Sequence, residues 1–140
     1  MALTNELIAA ATEAREKAYA PYSRFTVGAA LLTTEGEIYR GANMENISSG
    51  LTICAERVAV FTAIMNGSYH FTTLAVVGDS YQPVFPCGAC RQVLWELAGE
   101  IEVIAANLQD DLLTVPLTTL LPHPFSPDNL TSPRQYFYQE

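Results

Sequence analysis

The sequence predicts an α/β fold, a three-layer sandwich in which a mixed five-stranded sheet is covered by helices. Three observations carry that expectation. The chain has 140 residues, enough for one domain, 1–140, with one substantial core. An early β-branched and small-apolar run followed by turn chemistry reads as a β-hairpin, which pairs antiparallel. Beyond it, short apolar runs alternate with helical periodicity as strand, helix, strand, helix, strand, an order that calls for right-handed crossovers and parallel pairing.

Taken in order, Leu7, Ala11, Ala14 and Ala18 recur at spacings of four, three and four, with Thr4 placed to cap and Pro21 to terminate, so the chain opens with an amphipathic helix. Its outer face carries Glu13, Glu16 and Lys17. Phe25 to Thr33, the turn Thr34-Glu35-Gly36-Glu37 and Ile38-Tyr39-Arg40 form the hairpin, followed by a polar loop from Asn43 to Gly50. Thr52 is placed to cap a second helix running to Met65, rich in apolar residues (Val58, Phe61, Ala63, Ile64) and expected to be largely buried, with Asn66-Gly67 as its stop. Leu74 to Gly78 reads as a strand, Cys87 to Ala98 as a third helix closed by Gly99, and Ile101 to Ala106 as the next strand. Leu112 to Val115 suits an edge strand and Pro116 to Leu121 a short helix, since proline is tolerated in a first turn. The tail, with Pro122, Pro124, Pro127, Pro133, Phe125, Tyr136, Phe137 and Tyr138, suits a fixed irregular segment laid on something apolar.

Composition excludes some classes of function. Seven basic against fifteen acidic residues give a net charge of -8, which repels phosphate backbones and argues against a nucleic-acid partner. No apolar stretch approaches the about 20 residues of a membrane span, and Met1 to Glu6 lacks a basic segment leading into an apolar one. A soluble cytoplasmic protein with no membrane partner is expected. Charged residues are only 16% of the chain, against about 25% in average domains, a hint of surface buried between subunits. Three cysteines cannot all pair within one chain, so reduced thiols with a chemical task are the leading idea.

Those thiols fall in two clusters, Cys54-Ala55-Glu56 and Pro86-Cys87-Gly88-Ala89-Cys90, each at the start of a predicted helix. A helix N-terminus favours the thiolate, the form that binds metal. Three thiolates converging from two helix starts would hold zinc tetrahedrally and leave its fourth position for water. Glu56, two residues after Cys54, need not ligate but can stand beside the metal as a proton shuttle. Three thiolates and one zinc ion sum to a single negative charge, so the Arg57 guanidinium gains a reason to hydrogen-bond sulfur.

Plainer readings stand beside these. Cys-x-x-Cys at a strand-to-helix junction also marks dithiol redox centres, although such a pair has no use for a third cysteine with a carboxylate beside it. A closed structural zinc needs a fourth ligand, with only His70 and His123 available among histidines. By themselves Asn43 and Glu45 read as a solvated loop, Phe25 as a core aromatic, Arg57 as an exposed helix residue and Phe125 as a tail anchor. Trp95 is assigned to packing or an interface.

The motifs together resemble the zinc-dependent cytidine deaminases, in particular the short-chain homotetrameric type with three cysteine ligands. The likeness runs from Pro21-Tyr22-Ser23-Arg24-Phe25 through Val27-Gly28-Ala29-Ala30-Leu31, Asn43-Met44-Glu45-Asn46, Cys54-Ala55-Glu56-Arg57 and Pro86 to Gln92, to Leu121-Pro122 and Phe125-Ser126-Pro127. The resemblance implies that Cys54, Cys87 and Cys90 hold one zinc ion per subunit and that Glu56 moves protons. It gives Asn43 and Glu45 a ribose hydroxyl, Phe25 the nucleoside, and the Ala55 backbone N–H the base carbonyl. Phe125 would stack on the pyrimidine in a neighbouring subunit. The implied reaction is hydrolytic deamination of cytidine and 2'-deoxycytidine in pyrimidine salvage. A blasticidin-type antibiotic deaminase, a thiol-disulfide protein and a catalytically dead zinc-binding interaction module are the alternatives. Two positions depart from the family pattern: Ser49, where tyrosine is common, and Thr26, where proline is frequent.

Overall fold

A computed structural model describes residues 2–130, so Pro133, Tyr136, Phe137 and Tyr138 lie outside the described residues. Helix α1 (Ala2–Ala14) buries Leu7, Ala10, Ala11 and Ala14 along one face, the stripe its spacing predicts. Thr4 lies inside this helix rather than capping it. Ala18 falls outside, because a 3₁₀ turn at Arg15–Lys17 ends the helix. The chain is then drawn out straight by Tyr19, whose N–H donates to Asn43 O at 2.9 Å and whose carbonyl accepts from Glu45 N at 2.8 Å.

The hairpin forms from β1 (Val27–Thr33) and β2 (Ile38–Ala42), turned by Gly36 at φ 94, a left-handed conformation that glycine adopts without a Cβ clash. Helix α2 (Ala55–Met65), β3 (Phe71–Gly78), α3 (Gly88–Ala98) and β4 (Glu102–Asn107) follow. Then come β5 (Leu112–Pro116) and the single turn α4 (Leu117–Leu120).

The sheet has five strands in the order β2-β1-β3-β4-β5. β1 runs antiparallel to both neighbours, with Leu31 opposite Tyr39 and Leu74, and β3 pairs parallel with β4, with Leu74 opposite Val103. β5 closes the edge antiparallel to β4. The expected mixed sheet is therefore present, with its parallel pairing confined to β3 and β4. The crossover from β2 through α2 passes over β1, so β2 and β3 point the same way without touching.

Side chains alternate between two cores. Ala29, Leu31, Leu74, Val76 and Val103 meet α2 and α3, while Ala30, Leu32, Ala75, Val77, Ile104 and Ala106 meet α1. Because both faces are covered, these strands read as nearly continuous apolar runs. Each fully buried Leu or Val contributes about 1.5–3 kcal/mol relative to exposure.

One expectation about α2 is corrected. Ala59, Val60 and Ala63 face the core, but Phe61 and Met65 are 42% and 84% exposed. The helix lies on the sheet by one stripe only, and its outer stripe joins Met44, Ile53 and Val58 around an open apolar groove.

Candidate active site

Topology brings the two cysteine clusters together. β2 and β3 run in the same direction, so the segments leaving them emerge at the same end of the sheet, and the helices that follow cover one face. Cys54 is the N-cap of α2 and Cys87 the N-cap of α3, both extended (ψ 155 and 170) and neither engaged in a side-chain cap. Cys90 lies one turn into α3 and is fully buried. Thr52, the expected cap of α2, is not at the helix start. Ile53 is tied into an isolated bridge with Met44, N–H to O at 2.9 Å in both directions, and stays extended. The Thr52 hydroxyl instead accepts from Asn46 N at 3.2 Å.

The three Sγ atoms lie within 4.8 Å of one another, at 3.9 Å for Cys54 and Cys87 and 3.5 Å for Cys87 and Cys90. Zinc bound tetrahedrally at about 2.3 Å from each sulfur would set neighbouring sulfurs about 3.8 Å apart, so the trio fits three corners of a zinc site. Neither His70 nor His123 belongs to this group, and no fourth metal-binding side chain joins it among the described residues.

Charge is graded across the cluster. The Cys54 thiol is held down to about 5, first by the hydrogen bond it accepts from Cys90 and then by Arg57, whose Nη2 donates to Cys54 Sγ at 3.3 Å. Cys90 is pushed far upward by that same bond to Cys54 and by burial. Negative charge is therefore favoured on Cys54 over Cys90, and a metal would release thiol protons as it binds. Arg57 is held charged chiefly by its bond to Cys54, and its Nε is buried without a hydrogen-bond partner among the described residues.

Glu56 occupies the first turn of α2, only 4% exposed. Burial pushes its carboxyl up to about 7, and the neighbouring Cys54 charge adds to the rise. A carboxyl poised there can take and return a proton near neutral pH. Ala55 is the first helical residue, so its N–H has no acceptor within the helix.

Glu56, Cys54, Cys87 and Ala55 share a cavity of about 260 Å³ with Phe25, Asn43 and Glu45. Ser23, Val27, Thr52, Val84 and Phe85 complete its lining, and sequence reasoning gave none of them a place in the site. An aromatic wedged between Pro83 and Pro86 just ahead of Cys87 was the available signal for Phe85. Phe25, 37% exposed, packs on Gly78, where any Cβ would stand 2.9 Å from its ring.

Asn43 and Glu45 do more than line the cavity. Asn43 Oδ1 accepts from Val27 N and Nδ2 donates to Phe25 O, both at 2.9 Å. Glu45 Oε1 accepts from Tyr22 N and Ser23 N, both at 3.1 Å, and Oε2 accepts from the Ser23 hydroxyl. An amide offers two donors and two acceptor lobes, and a carboxylate about four lobes. After these bonds Asn43 retains one N–H and one lobe, while Glu45 retains one lobe on Oε2.

Phe125 is not in this cavity. Its ring is 65% exposed beside Trp95 and His123, and its backbone is gripped by the Gln92 amide, Nε2 to O at 2.6 Å and Phe125 N to Oε1 at 3.3 Å. Trp95 packs partly buried against the core under α3. At the two departures from the family pattern, Ser49 opens an exposed 3₁₀ turn. Thr26 accepts from Arg15 twice, at O from Nε (3.0 Å) and at Oγ1 from Nη2 (2.9 Å).

Comparison with known proteins gives the following. Residues 1–106 match the family model described as the cytidine and deoxycytidylate deaminase zinc-binding region. The chain is 50% identical over 125 residues to a cytidine deaminase of Halalkalibacterium halodurans, covering 89% of this chain and 95% of the relative. The crystal structure of cytidine deaminase from Burkholderia pseudomallei superposes with a TM-score of 0.84 at 50% identity, over 86% of this chain and 98% of that one. Likeness to the blasticidin-S deaminase of Bacillus cereus is weaker, 30% identity over 125 residues, 84% of this chain and 88% of that protein.

Proposed function

The chain belongs to the cytidine and deoxycytidylate deaminases, and from that premise we propose how its own residues carry out hydrolytic deamination of cytidine and 2'-deoxycytidine. The observation that carries the reading is the buried Glu56 carboxyl beside three sulfurs at zinc spacing, in one cavity with Asn43 and Glu45.

Cys54, Cys87 and Cys90 would hold the zinc, which when bound would supply Lewis acidity that brings the pKa of water toward about 7. Arg57 offsets the surplus negative charge of three thiolates through its bond to Cys54. Glu56 takes a proton from the water as the water oxygen bonds to C4, and delivers it to N3 of the pyrimidine. It then takes the second proton from the new C4 hydroxyl and passes it to the exocyclic nitrogen, so the C4–N bond breaks, the C4 carbonyl forms and ammonia leaves the uracil nucleoside. The Ala55 N–H donates to the base carbonyl, and Phe25 packs against the nucleoside. The N–H left on Asn43 and the lobe left on Glu45 suit one hydroxyl, which accepts from the first and donates to the second. Reading a single hydroxyl that ribose and 2'-deoxyribose share leaves both sugars acceptable. This pairing favours a ribosyl substrate over blasticidin, in line with the weaker likeness to that deaminase.

The whole chain acts as one catalytic domain and serves pyrimidine salvage in the cytoplasm. No helix among the described residues is long and apolar enough to cross a membrane. The active form is a homotetramer with shared sites. Two features support that assembly: the exposed Phe61 and Met65 stripe, and a Phe125 ring that reaches outward rather than into its own cavity.

The test is direct. Wild-type protein should lower the absorbance of cytidine and of 2'-deoxycytidine and turn over blasticidin poorly or not at all. Cys54→Ala and Glu56→Gln should abolish turnover, and full activity in either would overturn the mechanism.

A further inference from the structure

Resting on the deaminase reading, we propose that Ser23 is a positioning residue for the sugar end of the site, acting on Glu45 and Phe25 at once through a single oxygen. The Ser23 hydroxyl donates to Glu45 Oε2 and accepts from Phe25 N at 3.0 Å. A serine hydroxyl has one proton. With the Phe25 N–H occupying an acceptor lobe, that proton is committed to the carboxylate, and the rotor is fixed from both sides.

What the bond holds in place is a strained turn. Arg24, between Ser23 and Phe25, sits at φ 59, a conformation costly for a residue with a Cβ and kept only where its surroundings enforce it. The enforcement comes from Glu45, which takes Tyr22 N and Ser23 N on Oε1, and from Ser23 Oγ, which spans Arg24 to reach Phe25 N. Removing Oγ frees Phe25 N and leaves Oε2 without the donor that orients it, so the lobe offered to the sugar is no longer aimed. The hydrogen bond from the Ser23 hydroxyl is also the largest influence holding the Glu45 carboxyl below its ordinary value. Ser23, Arg24 and Phe25 are exposed and Glu45 half-buried in the single chain, so loss of the Ser23 hydroxyl weighs on site geometry far more than on folding.

The experiment is steady-state kinetics on wild type, Ser23→Ala, Ser23→Thr, Glu45→Gln and the S23A/E45Q double variant, with cytidine and 2'-deoxycytidine. Wild-type turnover is established first, and its absence would overturn the deaminase reading itself. S23A should raise KM about tenfold for both substrates, with the larger share of the loss in KM rather than kcat and Tm within about 3 °C of wild type. S23T, which keeps the hydroxyl, should return KM to within about threefold. In the E45Q background the alanine substitution should raise KM clearly less than in wild type, because the carboxylate that Ser23 orients has gone and only the contact with Phe25 N remains to be lost. Wild-type turnover with an S23A KM within twofold of normal overturns the assignment. So does an equal S23A effect in both backgrounds, or a threonine variant as impaired as alanine.

Discussion

Gly41→Ala tests whether the sheet sets the position of the metal-binding helix. A Cβ at Gly41, on β2, would stand 2.4 Å from both Ala55 O and Ala59 N, which are backbone atoms of α2 that no rotamer change can move. Ordinary contact starts near 3.4 Å, so the first two turns of α2 must retreat by about 1 Å. Those turns carry Cys54, Ala55 and Glu56, whereas Cys87 and Cys90 stay with α3. Metal–ligand distances tolerate about 0.2 Å, so a retreat several times larger pulls one sulfur out of the trio. Overpacking of this kind costs about 1–3 kcal/mol of stability, and zinc affinity should fall by about tenfold or more, as when a group that orients a ligand is lost. Gly36→Ala is the control. It places a side chain at φ 94 with no atom within 4 Å among the described residues, at a strain cost of about 1–2 kcal/mol, on a turn that lines no part of the cavity. Competition with a calibrated chelator measures affinity, and thermal denaturation measures stability. If G41A binds zinc as tightly as G36A at matched stability, the contact between β2 and α2 does not set the site.

Three further outcomes follow from the same geometry. Glu56→Gln keeps shape and zinc content but removes proton transfer, so kcat should fall at least about 100-fold with one zinc per chain retained by elemental analysis. Because the Glu45 carboxyl is held below its ordinary value, its charge and the loop order it provides persist above that value and disappear only as pH falls through the lowered one. KM for cytidine should therefore stay level from neutrality through the ordinary carboxylate range, and a rise already evident at about pH 6 would contradict this. If Phe125 serves a neighbouring subunit, mixed oligomers of two crippled variants, Glu56→Gln and Phe125→Ala, should recover activity that neither homogeneous preparation has. Mixtures no better than their average would place Phe125 outside the shared site.

The parts of the fold legible in the sequence were those set by periodicity. Leu7, Ala11 and Ala14 mark one face of α1, and β1, β3 and β4 declare themselves as apolar runs, because burial on a fixed repeat is a local property of the chain. Helix starts were less legible. Thr52 has the better capping side chain, yet α2 begins after Cys54, since the bridge between Met44 and Ile53 holds the preceding residue extended. Ala18 failed as a helical position for a similar reason, as the bridge from Tyr19 to Met44 draws the chain away. Pairings between residues distant in sequence decided both boundaries, and no local pattern encodes them. The zinc trio was legible because cysteine at two helix starts is rare and chemically narrow. Phe85 and Val84 were not, because apolar residues in a proline-bounded loop carry no periodicity.

The short stretch Asn43-Met44-Glu45 connects these observations. In extended backbone, alternate side chains project the same way, so Asn43 and Glu45 both reach the cavity and both grip the turn before β1. Met44 between them pairs its N–H and carbonyl with Ile53, while Asn43 O and Glu45 N bond to the Tyr19 backbone. The segment proposed to read the sugar is therefore tied to the Phe25 turn on one side and, through Ile53, to the residue preceding Cys54 on the other. The proposed sugar site and the cysteine cluster share one piece of backbone. A loosening at either end, by losing Ser23 or by pushing α2 away at Gly41, has a covalently short route to the other, whereas Gly36 has none.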